Sequence, residues 1–103
     1  MEIIKNKEND ILTVNIKGRL DTNTAPLMEE EIKDELDGIN TLNLDLNELE
    51  YISSAGLRVI LMFHKQMAQK GGALYVYHVM DEVLEVFDMT GFSSFLNIKE
   101  TNY

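Results

Sequence analysis

The chain of 103 residues has no cysteine, no tryptophan, one proline and two histidines. Without cysteine there is no disulfide, no thiolate metal site and no cysteine nucleophile. His64 and His78 sit at a spacing that matches neither a zinc motif nor a Ser/His pair, and Gly71-Gly72 lacks the context of a phosphate loop. Neither a metal site nor a cofactor is expected, and no enzyme signature is found. No apolar run approaches the roughly 18 residues of a membrane span. The opening Met1-Glu2-Ile3-Ile4-Lys5-Asn6-Lys7 lacks the charged, apolar, small order of a signal peptide. Basic residues are scarce as well: Lys and Arg number 9 against 18 acids, for a net charge of −9. Nucleic acid and anionic membrane, which both need a basic face, are poor partners for such a chain. One monomeric cytoplasmic domain over 1-103, long enough to bury a core without staples, is the expectation.

The charge is unevenly spread. From Tyr51 to Met80 there is no Asp or Glu, while Arg58, Lys65 and Lys70 make that stretch +3 and leave −12 for the rest. Around this island the elements follow from periodicity. Ile3-Ile4 and Ile11 to Lys17 read as two strands of a β-hairpin, with a polar loop from Asn6 to Asp10 and with Leu12, Val14 and Ile16 on one face. A helix from Thr24-Ala25-Pro26 to about Leu36 follows, with Thr24 as N-cap, and stops at Asp37-Gly38. Leu42, Leu44 and Leu46 mark a strand, and Asn47 to Glu50 a polar connection. Ala55 to Lys70 is a second helix, ended by Gly71-Gly72. Ala73 to Val79 is a strand, Asp81 caps a third helix over Glu82 to Thr90, and Phe95 to Ile98 forms a last strand. The order predicts an α/β domain: a mixed, mostly parallel sheet opened by an antiparallel hairpin, with about three main helices packed largely on one face.

The joint Tyr51-Ile52-Ser53-Ser54-Ala55-Gly56-Leu57-Arg58 is where function is expected. Serine at a helix start serves as an ordinary N-cap, accepting first-turn N–H groups. A hydroxyl there also faces the positive end of the helix dipole and could carry a phosphate, so a phosphorylation switch stands beside the plain cap. At 100° per residue, Leu57, Ile60, Leu61, Phe63, Met67 and Ala68 form the arc expected to be buried, with His64 inside it. Ala55, Val59 and Met62 form a second arc beside Arg58. That arc is either incidental exposure or a modest docking patch. Asp21 and Asp45 lie near strand ends, where α/β proteins place functional groups.

The joint is similar to the signature of STAS domains of the anti-sigma factor antagonist type, which usually runs aromatic, apolar, Asp, Ser, a small residue, Gly, Leu. Gly18-Arg19-Leu20-Asp21 with Thr24-Ala25 resembles the family's segment before its first helix, and Leu44-Asp45-Leu46 and Thr90-Gly91-Phe92 stand where the family has them. The resemblance implies an antagonist that, when unphosphorylated, binds an anti-sigma factor serine kinase and so releases a sigma factor. The kinase then phosphorylates the antagonist and a PP2C-type phosphatase restores it. By position the acceptor is Ser54, with Asp21 close by and Gly56 admitting the partner's backbone. Ser53, where the family usually has Asp, is a second candidate hydroxyl. The partner surface implied comprises Asp21, Thr22, Ser53, Ser54, Ala55, Gly56, Arg58, Val59 and Met62. Two alternatives stand: a STAS subunit of an ABC-type transport or other multi-protein complex that is never phosphorylated, and a nucleotide-binding STAS module.

Overall fold

Asn9 and Asp10 alone turn the chain between β1 (Glu2–Glu8) and β2 (Ile11–Leu20), with Asn9 at φ 58°. The structure, a computed structural model, describes residues 1–99, and the last four residues of the expected domain lie outside the described residues. The hairpin is therefore longer and its loop shorter than the polar run from Asn6 suggests. That run sits on an edge strand, where Lys5 and Lys7 pair with Val14 and Leu12 and charge discourages further strand addition.

The chain continues through α1 (Ala25–Ile32), a 3-10 turn (Lys33–Glu35), β3 (Thr41–Asp45), β4 (Leu49–Ile52), α2 (Ser54–Gln69), β5 (Ala73–Tyr77), α3 (Asp81–Thr90), a second 3-10 turn (Phe92–Ser94) and β6 (Asn97–Lys99). The sheet runs β1-β2-β3-β5-β6, and β4 pairs with β2. Among the described residues only the β1–β2 pairing is antiparallel, so the sheet is mixed and mostly parallel. The long β2 serves two neighbours: Ile11 to Asn15 pair with β3, and beyond a register shift at Gly18, φ +102°, Gly18 to Leu20 pair with β4.

Successive crossovers step across the sheet in one direction, and right-handed crossovers of that kind put every helix on the same face. The strands register this: Leu12, Val14, Ile16, Leu42, Leu44, Leu74 and Val76 are buried, while their neighbours Thr13, Asn15, Asn43 and Tyr75 on the other face are only partly so. Met28 and Ile32 of α1, Ile60, Phe63 and Met67 of α2, and Val83 and Phe87 of α3 complete one core.

Other elements depart from expectation as well: α1 gives way to the 3-10 turn after Ile32 instead of running as α-helix to Leu36, and β5 ends at Tyr77, before His78 at φ 56°, instead of at Val79. β4 replaces the polar connection; its outward residues Glu50 and Tyr51 are consecutive, so it shows no alternation. β6 begins at Asn97 instead of Phe95 because Gly91 to Phe95 is consumed by the 3-10 turn. Asp81 is the first residue of α3 and Met80 its N-cap, which still leaves the acid at the favourable end of the dipole.

Candidate functional site

β2 and β4 end side by side. Leu20 is in register with Ile52, and the Ser53 N–H donates to the Leu20 carbonyl at 2.9 Å, so Asp21 and Ser53 leave adjacent strand ends together. The chain then enters α2 at once. Ser53 is the N-cap, extended at φ −100° and ψ 176°, and its hydroxyl accepts the Gly56 N–H at 3.4 Å. Ser54 is the first helical residue and is exposed, and its hydroxyl makes no hydrogen bond among the described residues. The two serines thus differ in kind: Ser53 is spent on the helix, and Ser54 is free.

Asp21 is held by its own loop. Its Oδ1 accepts the N–H groups of Asn23 at 3.0 Å and Thr24 at 3.1 Å, while the Thr24 hydroxyl accepts the Asp21 N–H at 2.8 Å and donates to the Arg19 carbonyl at 2.8 Å. Thr24 is the expected N-cap of α1 by position, but its hydroxyl caps nothing and ties the loop instead. The Thr24 N–H, with help from Asn23 and Arg19, holds the Asp21 carboxyl below its ordinary range against a smaller opposing effect of desolvation. Its Oδ2 faces Arg19 at 3.9 Å. Arg19 lies over the Tyr51 ring, 4.1 Å from its centroid, in register across the β2–β4 pairing. This stacked pair beside the serines is absent from the expected surface, although both residues belong to the sequence segments that mark the site. Tyr51 is 41% exposed.

Two expected surface residues turn inward. A Cβ on Gly56 would stand 2.8 Å from Leu20 Cγ and 2.9 Å from Ile52 Cγ1, so the glycine lets α2 sit on the ends of its own strands and is buried there, unavailable for a partner's approach. Val59 is 7% exposed, because α1 packs along α2 over the arc expected to face outward. Ala55 and Met62 keep partial exposure. With Thr22, Ala25, Pro26, Glu29, Arg58 and the edge of Val59 they line a groove of about 270 Å³ between α1 and α2, beginning one residue after Ser54. Conversely, Leu61, His64 and Ala68, expected in the buried arc, line a notch against Phe95.

Asp45 is not part of this site. It contacts His78 Nδ1 at 3.2 Å and accepts the Asn47 N–H at the ends of β3 and β5. Among the described residues no group of three or more His, Cys, Asp or Glu is placed to hold a metal, and no helix is long and apolar enough to cross a membrane.

The model of the STAS domain family matches residues 2–102. The chain belongs to the STAS family. Its STAS relatives include BtrV of Bordetella bronchiseptica, a candidate anti-sigma factor antagonist by name, 37% identical over 91% of this chain and 82% of that protein. The anti-sigma-B factor antagonist of Listeria monocytogenes is 32% identical over 93% of this chain and 85% of its own length. Among solved structures, the STAS fold is shared with the anti-sigma factor antagonist SpoIIAA in its unphosphorylated form, at a TM-score of 0.78 and 12% identity over 98% of this chain and 90% of that one. SpoIIAA in its phosphorylated form gives 0.75 at 13% identity, over 96% and 92%.

Proposed function

We propose that this STAS protein is an anti-sigma factor antagonist and that Ser54 is its switch. The observation that carries the reading is the division between the two serines: Ser53 caps α2 and Ser54, one residue on, presents an unengaged hydroxyl to solvent above a tightly packed seat. The names of its relatives support the same reading. The unphosphorylated form binds an anti-sigma factor serine kinase through the first turns of α2, the groove at Ala55, Arg58, Val59 and Met62, and the Asp21–Thr22 loop. Binding releases a sigma factor from that kinase. In the reverse step the Ser54 Oγ attacks the γ-phosphorus of ATP; the Oγ–P bond forms, the bond to ADP breaks, and the hydroxyl proton passes to a base on the kinase. The product carries about −1.5 to −2 charges where the partner had docked, and a PP2C-type phosphatase reverses the change.

Incubation with the cognate kinase and ATP, followed by mass spectrometry, tests the reading. Phosphate on Ser54 is expected, retained in Ser53→Ala and absent from Ser54→Ala. Ser54→Ala binds the kinase as the unmodified protein does, whereas Ser54→Asp binds about 100-fold more weakly, equivalent to ~2.7 kcal/mol. No phosphate on either serine, or equal affinities for the two variants, overturns the switch.

A further inference from the structure

Arg58 stands four residues beyond Ser54 in α2, so the two side chains leave one face of the helix with Cβ atoms roughly 5–6 Å apart. Helical side chains lean toward the N-terminus, which carries the long Arg58 chain back over the turn that holds Ser54. Both residues are exposed. Arg58 makes no ion pair, hydrogen bond or ring contact among the described residues, in contrast to Arg19, which is engaged by Tyr51 and Asp21. Glu29, the acid that lines the groove with Arg58, belongs to α1, and among the described residues it forms no ion pair with Arg58. Within the stretch from Tyr51 to Met80 there is no acid to compete for the guanidinium.

We infer that Arg58 is the internal counter-charge for a phosphate on Ser54. The inference rests on the reading of Ser54 as the acceptor. The planar guanidinium turns back along the helix and donates two N–H groups to phosphate oxygens, a geometry that lysine cannot reproduce. Phosphorylation then acts on the docking surface twice: it adds an anion at Ser54 and withdraws from the partner the one cation lining the groove. The groove, whose lining carries Glu29 and Arg58 and is neutral before modification, passes to about −1.5 to −2. Arg58 is thus a positioning residue that fixes the modified side chain in one place.

The test needs no kinase. Phosphoserine is installed at position 54 by codon expansion in the full chain, and its second ionisation is followed by phosphorus NMR. The resonance in the wild-type background is expected to titrate about half a pH unit below that in R58Q, with R58K between the two. Identical titrations in the wild type and R58Q overturn the inference. Because Arg58 is exposed, R58Q in the unphosphorylated protein keeps the wild-type melting temperature, which separates a phosphate contact from a structural role. If the kinase leaves Ser54 unmodified, the proposed function fails while the titration still decides on Arg58.

Discussion

At its C-terminal end α2 is closed by main chain: the Gly71 N–H donates to Ala68 at 3.1 Å and the Gly72 N–H to Met67 at 2.8 Å, with Gly71 left-handed at φ +82°. Lys70 is tied to the Leu36 carbonyl besides. At its N-terminal end the closure is by side chain, a single 3.4 Å contact from Ser53, and the next residue is left unengaged. Beneath both ends a glycine marks where another segment presses close. Gly72 lies against the Asn40 carbonyl, and Gly56 against the Leu20 and Ile52 side chains. The C-terminal end is therefore closed by main chain and pressed against Asn40 at Gly72, and the N-terminal end is tight below and open above. A hydroxyl presented from a rigid seat offers an approaching protein one geometry, which limits the ordering that binding would otherwise require.

The largest effect is expected at Gly72. A Cβ there would stand 2.4 Å from the Asn40 carbonyl oxygen, which already accepts the Ala73 N–H, and neither group can rotate aside. Gly72→Ala is expected to lose about 3 kcal/mol of stability, read from a urea midpoint with unchanged slope. A loss below about 1 kcal/mol would show that this end yields. Gly56→Ala meets side chains instead of main chain and gains helix propensity, so its net loss is about 1–2 kcal/mol. Its kinase affinity falls as well, because Ser54 rides on the displaced turn. If stability drops while affinity holds, the seat does not set the geometry of the switch.

Smaller still is the contrast between the serines. Ser53→Ala removes a long capping contact and is expected to cost about 0.5 kcal/mol, whereas Ser54→Ala stays within a few tenths. Equal losses would erase the division of labour. Last comes Asp21→Asn, which keeps the loop's acceptor and removes its charge. The Asp21 carboxyl titrates in the folded chain below the ordinary 3.8. Its contribution is therefore full above the unfolded-state value and is lost as pH falls through the lower folded value. Acid unfolding curves of the wild type and Asp21→Asn should differ by a constant amount above about pH 5 and converge below 3.8.

Much of the molecule was legible in the sequence. Alternating Leu12-Val14-Ile16 and Leu42-Leu44 sit on the buried face of the sheet, and Gly71-Gly72 ends α2 as a glycine pair after a long helix does. The joint from Tyr51 to Arg58 marked the place where β4 meets α2. What escaped did so for local reasons. Glu50 and Tyr51 both point outward, so β4 had no period to read. On α2 the helical wheel yields two apolar arcs, and it contains no information on where α1 lies. Because α1 packs along α2, Val59 is buried and Ala55 and Met62 are only partly exposed, while Leu61, His64 and Ala68 face a notch.

Near-neighbour chemistry and a repeat of two or 3.6 residues were enough for the order of the elements other than β4, the one-sided sheet, the acid-free α2 and the pair of hydroxyls at its head. The tertiary structure alone reveals that Gly56 faces the protein's own strands, that Arg19 stacks on Tyr51, and that Val59 lies under α1. Those depend on how β2 and β4 end together and where α1 settles on α2. Such contacts join residues some thirty positions apart, and no local pattern encodes them.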